Sequence, residues 1–154
     1  METPLPPRAV RPAFTLIELL LVIGIIAILA SIVIVAINPT KQMGDARNAQ
    51  RRSDVNTILN AVYQYAIDQN GTMPGCLGED PPTGGSICLK GSNCTDVADG
   101  CNLDALTTSY IVDLPTDPLG ATGNDTNYDV SITSGRVTVS APEAEQSQTI
   151  SVTR

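Results

Sequence analysis

The sequence predicts an α+β protein. It has a long N-terminal helix, apolar in its first half and amphipathic in its second, packed on a small antiparallel sheet, with a disulfide-rich loop. Three observations predict this. Phe14 to Ile37 is an unbroken apolar run with one charge, Glu18, near its start. Val55, Ile58, Leu59, Val62, Tyr65 and Ala66 then recur at helical spacing. Near the C-terminus, Tyr128, Val130 and Ile132, then Val137 and Val139, then Ile150 and Val152 alternate as strands do.

The elements follow in chain order. Met1 to Ala13 is a Pro-rich leader that places Arg8 and Arg11 just before the apolar run. A secretory signal has its cleavage site after its apolar stretch; here the polar leader ends where that stretch begins. Phe14 to Ile37 as a helix would span roughly 36 Å, enough to cross a bilayer with some tilt. A carboxylate within it costs about 2.5–3.5 kcal/mol on insertion scales, so Glu18 requires a compensating partner. The helix is expected to run to about Gln69, loosened at Pro39, and to end at Asn70-Gly71, which accept the left-handed conformation. Its amphipathic half presents the only apolar stripe available to cover a sheet.

Residues 72–100 are rich in Gly and Pro and are read as loop. Cys76, Cys88, Cys94 and Cys101 fall around this stretch without a C-x-x-C spacing. Four cysteines there fit two disulfides made in an oxidising compartment, and three pairings are open. Leu103 to Leu114 holds a helical turn, and Ser134-Gly135 makes the hairpin turn between the first two strands. The domain boundaries follow: a leader over 1–13, an apolar helix half over 14–38, an amphipathic half over 39–70 and a globular region over 71–154. Within the last, the Cys-rich loop covers 72–102 and the sheet 126–153.

Composition narrows the function. The chain has 154 residues and no histidine, which removes imidazole triads and His-ligated zinc, so no enzyme is expected. The net charge is −7, and most of the 16 Asp and Glu lie after residue 70, against Lys90, Arg136 and Arg154. No nucleic acid is expected to bind so acidic a surface.

Ala13-Phe14-Thr15-Leu16-Ile17-Glu18-Leu19-Leu20, followed by the apolar run, resembles the type IV pilins and type II secretion pseudopilins. Leu114 to Gly120 (LPTDPLG), with Tyr128 beyond it, is similar to a loop of the major, G-type pseudopilins. The resemblance implies a prepilin leader cut between Ala13 and Phe14 by a prepilin peptidase, with N-methylation of the new terminal Phe14. It implies a structural subunit that polymerises with copies of itself into a helical pilus or pseudopilus. The further partners are membrane lipid before assembly, a membrane assembly platform and an ATPase. The location implied is the bacterial inner membrane, single-pass with the C-terminus outside, then a cell-surface pilus or periplasmic pseudopilus. Positive-inside counting favours the opposite orientation, since Lys41, Arg47, Arg51 and Arg52 follow the apolar run. The cysteines, which want the oxidising side, override it.

Glu18 then has two roles that are compatible. It closes a capping box with Thr15, and it pairs with the Phe14 amine of a neighbouring copy, fixing the axial register. The alternative function is a monomeric signal-anchored ectodomain acting as a binding module. No cofactor is expected except calcium, which some members of the resembled family bind in the corresponding loop. Its candidate ligands here are Asp113, Asp117, Asn124 and Asp125, in a segment that also holds Asn127 and Asp129.

Overall fold

The computed structural model describes residues 14–79, 84–97 and 99–154. The leader, and with it Ala13, lies outside the described residues. The chain divides into two compact units that meet at Pro39 and Thr40.

The first unit holds α1, Leu16–Ile37. Thr15 is its N-cap, and Asn38 closes it in the left-handed conformation, with φ 45° and ψ 78°. Asn tolerates that region better than other side chains because it bonds locally. No residue of α1 is buried. Its Ser31 hydroxyl donates to the carbonyl oxygen of Ile28 at 2.7 Å and so needs no outside partner.

The second helix, α2, spans Pro39–Asp68. The single helix expected from the sequence is therefore two, with the ladder interrupted at Asn38. Pro39 opens α2, a position where a missing N–H costs nothing because the first-turn donors have no helical partner. After Asp68, Asn70 and Gly71 both take positive φ, as the terminator reading requires.

The sheet lies in the second unit, with strands in chain order: β1 (Gly85–Cys88), β2 (Asp125–Thr133), β3 (Arg136–Ala141) and β4 (Ile150–Thr153). All neighbours are antiparallel, with Gly85 opposite Val130, Val130 opposite Val139 and Val139 opposite Val152. One face is apolar: Tyr128, Val130, Val137, Val139, Ala141 and Ile150 are buried. They pack in one core with Val55, Ile58, Leu59 and Val62 of α2, with Leu106 of the 3-10 turn Asp104–Thr108 and with Leu103 just before it. Ser134 and Gly135, at φ 52° and 76°, make the β2–β3 turn with two left-handed residues, the geometry that matches strand twist.

One strand departs from the loop expected over 72–100. In β1 only Ile87 and Cys88 are buried, and Gly and Ser fill the rest, so no side-chain alternation announces a strand. Backbone pairing makes it one. Beside β2, it also exchanges hydrogen bonds with Cys101, whose carbonyl accepts from Cys88 N at 3.1 Å and whose N–H donates to Ser86 O at 2.8 Å. Gly85 permits this approach: at φ 153°, a Cβ there would run into the carbonyl oxygen of Asp99.

The four cysteines pair as Cys76–Cys101 and Cys88–Cys94, with Cα atoms 5.2 and 5.7 Å apart. Cys76, Cys88 and Cys101 are buried. The Cys76–Cys101 bridge joins the core cluster, so it replaces the apolar side chains the segment lacks.

Candidate functional site

Two places concentrate chemistry: the start of α1, in the first unit, and a buried charge cluster in the second. At the start of α1 the T-x-x-E pattern closes a reciprocal capping box. Glu18 N donates to Thr15 Oγ1 at 3.3 Å, and Thr15 N donates to Glu18 Oε2 at 3.0 Å. The Thr15 hydroxyl donates to the same Oε2 at 2.7 Å. The whole capping role thus falls on one carboxylate oxygen. Phe14, at the expected cleavage position, is 85% exposed, and Leu16, Ile17, Leu19 and Leu20 beside it are exposed too. So much contiguous apolar surface is not stable against water. By length and composition α1 is able to cross a bilayer.

The second place lies where the buried stripe of α2 turns polar. Gly44, Asn48, Arg51 and Asp54 continue the stripe that Val55, Ile58, Leu59 and Val62 form further along. Arg51 is fully buried. Its Nε donates to Asp117 Oδ2 at 2.6 Å and its Nη2 to Asp117 Oδ1 at 2.9 Å. Its Nη1 donates to Asn48 Oδ1 and to Glu145 Oε2, both at 3.0 Å. Glu145 also accepts from Arg47 Nη2 at 2.5 Å and Nε at 2.6 Å. Asn48 clamps the Glu145 backbone, donating to its carbonyl at 2.9 Å and accepting from its N–H at 3.0 Å.

The electrostatics follow from this geometry. The bonds from Arg47 and then Arg51 hold the Glu145 carboxyl down at about 2. The bonds to Asp117 hold the Arg51 guanidinium above its ordinary range, against the opposing effect of burial. Burial, reinforced by the hydrogen bond to Asp54, pushes the Tyr128 hydroxyl up. That hydroxyl donates to Asp54 Oδ2 at 2.9 Å, while Gln50 donates to Asp54 Oδ1 at 2.8 Å. Every described buried side-chain N and O atom has a partner.

The candidate calcium ligands do not form one set. Asp117 is committed to Arg51. Asp113 Oδ1 accepts from the N–H of Leu114, and Asp125 Oδ1 from the N–H of Asn127. The Asn124 amide donates to Asp96 at 3.4 Å. Among the described residues no group of three Asp, Glu, His or Cys could hold a metal ion. Asp and Asn crowd this segment because they satisfy turn backbone, and Asp117, the buried one among these candidates, has a guanidinium partner.

From the sequence, Arg47 and Arg51 enter only the charge count beside the apolar run, and Asn48 and Glu145 carry no role. A signal for them exists. Asn48 and Arg51 sit at helical spacing on the extension of the apolar stripe, where a polar side chain must be buried and so must be paired.

Residues 10–34 match the family model for the prokaryotic N-terminal methylation motif. The comparisons with curated proteins and with solved structures returned no match. The matched segment contains Phe14, Thr15 and Glu18 and most of α1. It is the prepilin-type N-terminal segment, consistent with a type IV pilin or pseudopilin precursor. Such a segment supports, in general terms, a structural subunit with prepilin-type processing and self-assembly, and α1 fits a membrane-anchored precursor.

Proposed function

From the premise of a prepilin-type N-terminal segment, we propose that this chain is the subunit of a type IV pilus or type II secretion pseudopilus. A prepilin peptidase cuts between Ala13 and Phe14, and the new amine of Phe14 is methylated. Before assembly α1 sits in the inner membrane with the C-terminal unit outside. An assembly platform and its ATPase then draw subunits into a helical polymer. There the α1 segments pack on one another and the acidic units face outward.

The observation that carries the proposal is the start of α1. A carboxylate stands four residues after Phe14 on a helix whose other side chains are apolar except for Ser31. The capping box engages Oε2 alone, and Glu18 Oε1 makes no bond among the described residues. That oxygen supports a second role beside capping. In lipid or in a packed helix bundle an incompletely compensated anion is costly. The terminal amine that cleavage creates on a neighbouring copy is the cation that satisfies it. The same pairing aligns each subunit against the next.

Intact-mass measurement and N-terminal sequencing of the protein from its native host test the processing step. Phe14 is expected first, carrying one added methyl group. A chain still beginning at Met1 favours the monomeric anchored ectodomain instead. Replacing Glu18 with Leu tests the pairing. The variant is expected in the membrane fraction without filaments, and filaments of normal yield from it refute the role of Glu18.

A further inference from the structure

The turn Leu114–Gly120 and the connection between β3 and β4 are both fastened to α2 by one side chain. Arg51 reaches Asp117, 66 residues along the chain, and Glu145, 94 residues along. All four carboxylate oxygens of these two residues accept N–H groups. Asp117 Oδ2 takes Arg51 Nε, and Oδ1 takes Arg51 Nη2 and the backbone N–H of Leu119 at 2.8 Å. Glu145 Oε1 takes Arg47 Nη2, and Oε2 takes Arg47 Nε and Arg51 Nη1. Of the candidate calcium ligands, Asp117 is the buried one, and a divalent cation there would need the two oxygens that Arg51 already holds. It would also have to sit against a guanidinium that keeps its proton at any pH the fold meets. The donor set therefore does not fit a metal ion, although a calcium site is what the family resemblance implies for this loop.

We infer that Arg51 is the resident cation of this unit: its guanidinium fastens the Asp117 turn and the Glu145 connection to α2, and the fold forms without a divalent ion. Arginine suits the position for a geometric reason. Its planar fork matches the two oxygens of Asp117 side by side while Nη1 remains for Glu145 and Asn48. A lysine ammonium is a point charge on a different stem and cannot make the paired bonds. This inference concerns the folded unit alone and does not rest on the filament reading.

The test is thermal unfolding of the full chain in detergent, followed by circular dichroism, in excess EDTA and in millimolar calcium chloride. The wild-type Tm is expected to be the same in both to within about 2 °C. Arg51→Lys keeps the charge and loses the fork; its Tm is expected to fall by about 5–10 °C in both buffers. A saturable calcium-dependent rise of several degrees in the wild type overturns the inference. So does an Arg51→Lys chain that melts with the wild type.

Discussion

Replacing Asp117 with Ala isolates the central bond of the α2 cluster. Asp117 and Arg51 side chains are both fully buried. The substitution removes the two bonds to Arg51 at 2.6 and 2.9 Å and the bond from Leu119 N. It leaves a guanidinium that keeps Asn48 and Glu145 but whose Nε and Nη2 donors have lost their acceptors, in a place water does not reach. Breaking one partner out of a buried pair costs about 3–5 kcal/mol, because the remaining charge is desolvated without compensation. For a unit the length of Thr40–Arg154 the unfolding entropy is about 0.24 kcal/mol/K, so Tm is expected to fall by about 12–20 °C. The assay is thermal unfolding, or urea unfolding if the thermal transition is irreversible. Asp113→Ala is the control: Asp113 is exposed, in the same turn-rich segment, and its loss is expected to cost no more than about 0.5 kcal/mol. An Asp117→Ala chain that melts within about 4 °C of the wild type would refute the reasoning, because the buried pair would then hold nothing.

Three further outcomes are expected. The Glu145 carboxyl is held at about 2, while the unfolded chain protonates it near 4.5, so the unfolded state binds more protons in that window. Its contribution is therefore intact above pH 4.5 and lost as pH falls toward 2, and acid titration of Glu145→Gln should show a shallower fall than the wild type. Tyr128 is shifted the other way: its stabilising contribution is full below pH 10 and lost above it, and Tyr128→Phe should cost about 1–3 kcal/mol at neutral pH by leaving Asp54 with Gln50 alone. Serine pairs in place of the disulfides should separate by loop length: about 3.5 kcal/mol for Cys76–Cys101, separation 25, against about 2 kcal/mol for Cys88–Cys94, separation 6. Denaturant unfolding of the two double variants checks that order.

The sheet shows how local signals become legible. β2, β3 and β4 alternate in sequence because each has one face on the core, and Tyr128, Val130, Val137 and Val139 carry that pattern on their own. β1 does not, because its pairing is made by backbone groups of Gly85, Ser86 and Cys88 that every sequence possesses. The break between α1 and α2 lies between these cases. Pro39 marks it, but the residue that leaves the helical conformation is Asn38.

By itself, the sequence determined what depends on near neighbours: an apolar helix that water cannot cover, the Thr15–Glu18 capping box, the apolar stripe of α2 and three of the four strands. Periodicity and spacing record these because each is set within a turn of helix or a few residues of strand. The tertiary structure alone decided which cysteines meet, that a Gly-rich stretch joins the sheet, and that Asp117 faces Arg51. Those outcomes depend on contacts between residues far apart in the chain. No local pattern encodes which distant carboxylate will meet a buried guanidinium when the chain folds.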